Sequence, residues 1–229
     1  MTRRLLPLAA LLLAAALSTA CVPAPTGEVA EAETPSPVEL AQASVVRIRN
    51  VSACGVAIGT GFVIEGRRIV TNRHVVAGAR ELEVETWDGR PVSIGTAREG
   101  VDTDLGVIDL RGRSARQLEP LPFDEDGLEV GDRVAAIGYA LAGPSTTTFG
   151  QFLDEPRGRP FLEPDRVLRY NTTVEHGNSG GPLLNRDAEV VGVVFAYETA
   201  TGHGLAIPLE RLEATITVPG ATVPVTPCG

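Results

Sequence analysis

The chain has 229 residues, of which 43% are apolar and 21% charged, and its formal net charge is -9. That length suits one domain, or two halves sharing one core, and the composition is that of a soluble globular protein. The acidic balance argues against a nucleic-acid partner.

Arg3 and Arg4 precede an apolar run, Leu5 to Leu17, that is short for a bilayer span. Ser18 and Ala20 are the small residues a signal peptidase requires. Residues 1–20 therefore read as a signal peptide and the protein as exported, to the cell envelope, the periplasmic side of a membrane or the medium. Leu17-Ser18-Thr19-Ala20-Cys21 resembles a bacterial lipobox, with Ser18 where Leu is usual. Lipidation of Cys21 would attach the protein to a membrane. The alternative is ordinary cleavage nearby, with Cys21 left free or lost. The chain has three cysteines, an odd count for an exported protein. Setting Cys21 aside leaves Cys54 and Cys228, a natural disulfide in an oxidising compartment. Such a bond would tie the tail to an early strand and contribute on the order of 4–5 kcal/mol by the chain-entropy argument.

Residues 21–38 read as a linker, with Pro23, Pro25, Pro35 and Pro37 among Glu28, Glu31 and Glu33. Strand patterns begin at Ser44 and run to Asn50, then from Val56 to Ile64, where Gly59 and Gly61 mark close backbone approach or a bulge. Arg68 to Thr71 is a further strand, and Asn72 to Ala77 a brief helical turn. Leu82 to Thr86 ends at Asp88-Gly89, a hairpin signal, with Arg90 to Ile94 pairing back. Leu105 to Leu110 closes the first half, 39–120. The polar stretch Arg111 to Gly127 is the connection. Strands resume in the second half, 121–229, at Arg133–Tyr139, Thr146–Leu153, Arg166–Thr172, Pro182–Asn185, Glu189–Ala196 and Gly204–Ile207. Val191 to Phe195 lacks polar residues, as a strand buried on both faces would. Leu209, Leu212 and Ile216 are at helical spacing within Pro208 to Ile216. Many short strands with one late helix mean an all-β sandwich or barrel pair.

One stretch organises the chemistry: Gly177-Asn178-Ser179-Gly180-Gly181-Pro182. Flexible residues flank a serine whose own N–H and a neighbour's can face an oxyanion. A serine hydroxyl is a weak nucleophile near neutral pH, so it needs a base, and the base an orienting acid. Of the three histidines, His74 ends a strand and begins a turn, His176 is three residues before Ser179, and His203 lies between Gly202 and Gly204. Asp104 directly precedes an apolar strand, where a carboxylate is half buried, as an orienter of imidazole requires. Asp102 is its rival and reads as a turn residue. The order is then His, Asp, Ser.

That order, with Gly59-Thr60-Gly61-Phe62-Val63-Ile64, Thr71-Asn72-Arg73-His74-Val75-Val76, Asp104-Leu105-Gly106-Val107 and the Ser179 stretch, resembles the chymotrypsin-fold serine proteases of the HtrA-like branch. Within that branch, the cysteines and Val174 to Gly181 resemble the actinobacterial periplasmic acid-resistance protease. The resemblance spans roughly residues 44–228. It implies two six-stranded antiparallel β-barrels with a short C-terminal helix, and a site in the cleft between them. His74 would be general base and then acid, Asp104 its orienter and Ser179 the nucleophile. The N–H groups of Gly177 and Ser179 would form the oxyanion hole. Thr173, Val174, Val194, Phe195 and Ala196 would line a modest, mostly apolar substrate pocket, with Thr173 where a trypsin-type floor carries an acid. Glu175 and His176 would flank the cleft.

Asn178 stands where digestive members carry Asp, so activation by a newly cut N-terminus is not expected. No PDZ domain is expected after residue 216, unlike in typical HtrA-like members. The implied activity is a serine endopeptidase acting on polypeptides, with no cofactor and no metal. The alternative is a latent or pseudo-protease that binds peptides without cutting them. If Cys21 is lipidated, Cys21→Ser should move the protein from the membrane to the soluble fraction; unaltered fractionation would remove the lipid anchor.

Overall fold

The computed structural model describes residues 35–156 and 166–228. The expected signal peptide, Cys21 and most of the expected linker lie outside the described residues.

The elements, in chain order, begin with α1 (Pro37–Ala41), β1 (Val45–Ser52), β2 (Gly55–Ile64), β3 (Arg68–Thr71), α2 (Arg73–Val76) and β4 (Glu81–Thr86). They continue with β5 (Ile94–Gly100), β6 (Gly106–Leu110), α3 (Ser114–Gln117), β7 (Arg133–Gly138), β8 (Thr146–Asp154) and β9 (Leu168–Tyr170). The last are β10 (Pro182–Leu184), β11 (Val190–Tyr197), β12 (Gly204–Pro208), α4 (Leu209–Thr217) and β13 (Thr222–Pro224).

β7 to β12 form a closed barrel in the order β10-β11-β12-β9-β8-β7. The first six strands form a sheet ordered β5-β6-β3-β2-β1-β4, with β13 added outside β5. Its two ends are joined through the expected Asp88-Gly89 hairpin. The Thr86 N–H donates to the Arg90 carbonyl, 2.9 Å, and the Val92 N–H to that of Val84, 2.8 Å. The chain then enters β5 at Ile94. The fold is thus all-β with one closed barrel and one curled sheet.

Strand alternation explains how both halves share a core. In β7, Val134 and Ala136 face the interior of the second barrel, while Ala135 and Ile137 join a cluster between the barrels. In β2, Val63 faces the first barrel's interior, and Phe62 and Ile64 face the second barrel. In β11, Val191 and Val194 point inward, and Val190 and Val193 outward, across a bulge at Val191 in the pairing with β10. Both faces of these strands are buried, which is why their sequences carry so few polar residues. Leu212 of α4 is wholly buried against the inter-barrel cluster, with Leu209 and Ile216 packed beside it.

Three local expectations change. Pro37 and Val38 do not extend the linker. They open α1, where Ser36 and Glu39 form a capping box: the Ser36 N–H donates to Glu39 Oε2 at 2.7 Å, and the Glu39 N–H to Ser36 Oγ at 3.3 Å. The return strand after Asp88-Gly89 is short and irregular, and the regular strand runs from Ile94 to Gly100. The tail does not stay with the second half. β13 pairs with β5 through Thr222↔Gly100 and Pro224↔Arg98.

Cys54 and Cys228 are bonded, with Cα atoms 6.1 Å apart across a sequence separation of 174. The Cys228 N–H also donates to the Gly78 carbonyl at 2.9 Å. Because the loop it closes is so long, reduction should lower unfolding stability by about 2–5 kcal/mol. An unchanged midpoint in denaturant with and without reductant would contradict a structural role for the bond.

Candidate active site

β6 begins where the chain bends back against α2, and that bend places Asp104 against His74. The Asp104 carboxylate meets His74 twice. Its Oδ1 accepts the His74 backbone N–H at 3.0 Å, and its Oδ2 is 2.7 Å from the ring Nδ1. That second distance is that of an Nδ1–H donating to a carboxylate. The Asp104 carbonyl accepts from Asn72 Nδ2 at 2.9 Å and from the Arg73 N–H at 3.1 Å. Ring, turn and acid therefore move as one unit. Asp102 has a different place. It is exposed, and its carbonyl accepts from Arg211 at 2.7 Å. The side chain of His74 is half exposed and that of Asp104 mostly covered, at 50% and 23%.

Asn50, a buried asparagine of β1, fixes α2 from beneath. Its Nδ2 donates to the carbonyls of Val75 and Ala77, at 3.0 and 2.9 Å. These bonds satisfy its amino group, while its Oδ1 is buried without a hydrogen-bond partner among the described residues.

Ser179 is carried by the loop before β10. Gly177 has φ +101° and Gly180 φ +88°, a region that L side chains rarely adopt. There is no space for a side chain either: a Cβ on Gly177 would run into the Tyr139 carbonyl, and one on Gly180 into the Thr60 carbonyl. The loop is pinned from both barrels. From the first, the Thr60 N–H donates to the Ser179 carbonyl at 2.8 Å, and Thr60 Oγ1 to the Gly177 carbonyl at 2.6 Å. From the second, the Val194 carbonyl accepts the Gly180 N–H at 2.7 Å, and the Val194 N–H donates to the Gly181 carbonyl at 2.9 Å. Among the described residues, neither the Gly177 nor the Ser179 N–H donates a hydrogen bond, which leaves both available to a ligand oxygen.

Gly59 is where the two halves of the site meet. A Cβ there would overlap Val75, the neighbour of His74, and lie 3.1 Å from the Ser179 carbonyl. Only a bare backbone lets the His74 turn and the Ser179 loop both close on β2.

Tyr139 completes the junction. Its N–H donates to Thr60 Oγ1 at 3.1 Å, and its ring has Arg47 at 6.0 Å from the centroid. Burial pushes its phenol up to about 12, despite the Arg47 cation, so it stays neutral.

The expected pocket residues divide. The side chains of Val174 and Val194 are buried inside the second barrel, and Phe195 joins the inter-barrel cluster. Their side chains are spent in these clusters and do not line an open pocket. Thr173 is exposed and Ala196 half-buried. Glu175 and His176 are exposed, and the His176 ring lies edge-on to Tyr197 at 6.4 Å. His203 is half-buried in the turn between β11 and β12. Among the described residues no group of three His, Cys, Asp or Glu side chains is placed to hold a metal. The sequence reading missed Thr60. The available signal was a buried-type threonine between two glycines in an otherwise apolar strand.

A family match accompanies this geometry. Residues 59–193 match the Trypsin-like peptidase domain. The chain belongs to the trypsin-like peptidases. This trypsin-like peptidase is 37% identical over 179 residues to a protein of Synechocystis sp. that carries the name serine protease HhoA. The alignment covers 72% of this chain and 44% of that one. It is 31% identical over 167 residues to the serine protease HTRA1 of Xenopus tropicalis, covering 68% of this chain and 35% of that one. The chain thus spans less than half the length of these relatives. Among solved structures, the Rv3671c protease of M. tuberculosis in its active form superposes with a TM-score of 0.71 at 28% identity. That superposition covers 84% of this chain and 86% of that one. The serine endoprotease of Yersinia pestis superposes with a TM-score of 0.68 at 27% identity, over 80% and 66%.

Thr60→Val keeps the shape of the side chain and removes its hydroxyl. The Gly177 carbonyl and Tyr139 N–H would lose their partner in a site with no water access at Thr60, which is fully buried. Stability should fall by about 2 kcal/mol or more, measured by denaturant unfolding; a loss within a few tenths would show that these bonds carry little.

Proposed function

We propose that this trypsin-like peptidase is an exported serine endopeptidase that works through an acyl-enzyme, with His74, Asp104 and Ser179 as its triad. The observation that carries this reading is the Asp104–His74 pair at 2.7 Å, set in the first half against a Ser179 loop that Thr60 holds.

In the first step Ser179 Oγ attacks the scissile carbonyl while His74 Nε2 takes its proton. Asp104 keeps the proton of His74 on Nδ1 beforehand and stabilises the imidazolium afterwards. The developing oxyanion accepts from the Gly177 and Ser179 N–H groups, whose freedom from other acceptors supports this role. Collapse breaks the C–N bond, and the imidazolium gives its proton to the leaving amine. Water then attacks the acyl-enzyme with His74 again as base, and Ser179 recovers its proton. The accessible side chains of Thr173 and Ala196 support a small, weakly polar specificity surface beside the serine. Residues 1–20 and Cys21 support export and, where Cys21 is lipidated, residence at a membrane.

A fluorophosphonate should add once to the purified, oxidised protein, read by intact mass, and Ser179→Ala should lose the adduct. Asp104→Asn should keep the fold and slow labelling by about 10⁴-fold through the wrong imidazole tautomer. Well-folded protein that takes no label would sink the enzymatic reading and favour a peptide-binding one.

A further inference from the structure

The fold leaves a groove of about 820 Å³ between the inter-barrel connection and α4. It lies at the C-terminal end of β2, beyond the Thr60 contact with Ser179. A strand rises about 3.3 Å per residue, so Glu65 is roughly 16 Å along the chain from the Thr60–Ser179 contact. The floor is apolar: Ile64, Leu121, Phe123, Leu128, Leu209 and Ile216. Ile64 and Leu121 are buried, while the other four are only half-buried and keep apolar surface open to water.

The rim is acidic. Glu65, Glu125, Asp126 and Glu213 line it and are exposed. Among the described residues, none of these four carboxylates makes an ion pair or a side-chain hydrogen bond. Three further carboxylates are engaged. Asp124 accepts the Gly127 N–H at 3.0 Å, and Glu155 and Glu210 share Arg166. The cation in the lining, Arg68, donates to the Ile216 carbonyl at 3.2 Å and not to a rim carboxylate. Like charges left unpaired around a low-dielectric floor repel each other and focus a negative potential. The chemistry at Ser179 uses none of them.

We infer that this groove docks a cationic polypeptide segment that also carries apolar side chains. Arginine or lysine heads would meet Glu65, Glu125, Asp126 and Glu213, and apolar residues would cover Phe123, Leu209 and Ile216. Charge complementarity selects this occupant: an acidic segment or an anionic lipid surface meets repulsion at the same rim. A segment bound here lies about five extended residues away from the one presented to the nucleophile.

The test uses the full chain carrying Ser179→Ala, so that the probe stays intact. A fluorescein-labelled decapeptide of alternating arginine and leucine is titrated at low ionic strength and followed by anisotropy. Saturable binding is expected. Combining Glu65→Gln, Glu125→Gln, Asp126→Asn and Glu213→Gln should weaken it about tenfold or more. A second probe with serine in place of leucine should bind the unmodified rim more weakly than the first, a comparison that needs no variant. Absence of binding, equal affinity in the neutralised protein, or equal affinity for the two probes would each overturn the inference.

Discussion

Thr60 is the residue through which the two halves of the molecule act on one site. Its N–H holds the Ser179 carbonyl, its hydroxyl gives its proton to the Gly177 carbonyl and accepts the Tyr139 N–H, and its carbonyl accepts the Thr71 hydroxyl at 2.6 Å. Every polar group of the residue is spent within the protein, in surroundings that exclude water. Bonds so placed are worth more for geometry than for net stability, since leaving any of them unmade carries the full cost of desolvation. They dictate where the second barrel may dock. The close approaches at Gly59, Gly177 and Gly180 follow from that docking, because each removes a Cβ that would hold the layers apart.

The apolar packing has the complementary role. Phe62, Ile64, Val70 and Leu105 from one half meet Ala135, Ile137, Val193 and Leu205 from the other in one continuous cluster. Such a contact is large and has little directional preference, so it supplies cohesion without a unique register. The register comes from Thr60 and from Tyr139, whose ring stands between Arg47 and the inter-barrel cluster. The ion pairs on the outer faces, such as Arg49 with Glu83 at 2.6 Å, are solvent-exposed and add little to either.

Much of this was legible in the sequence because its signals are local. The alternation around Val45, Val46 and Ile48, the spacing of Leu209, Leu212 and Ile216, and Asp88-Gly89 each report a structure made within a few residues. Asp104 was separable from Asp102 because the apolar strand starts one residue after it. What escaped depends on partners distant in sequence. β5 carries Gly95, Arg98 and Glu99 and is only half covered, so its pattern is weak. β13 is three residues with a proline, and it is a strand only because β5 offers it an edge. The inward turn of Val194 follows a bulge at Val191 opposite β10, and a bulge shifts which residues face the core in a way that simple alternation does not foresee. α1 is the exception, for Ser36 and Glu39 announced a capping box locally and the surrounding prolines obscured it.

The bond between Cys54 and Cys228 has a consequence for how the protein is made. Synthesis runs from the N-terminus, so Cys21 and Cys54 are in place long before Cys228, 174 residues beyond Cys54, has been made. During that interval the nearest wrong partner for Cys54 is Cys21. Only the loss or blocking of the Cys21 thiol would take that competitor out of circulation. The fidelity of the native pairing therefore hangs on a cysteine that takes no part in it.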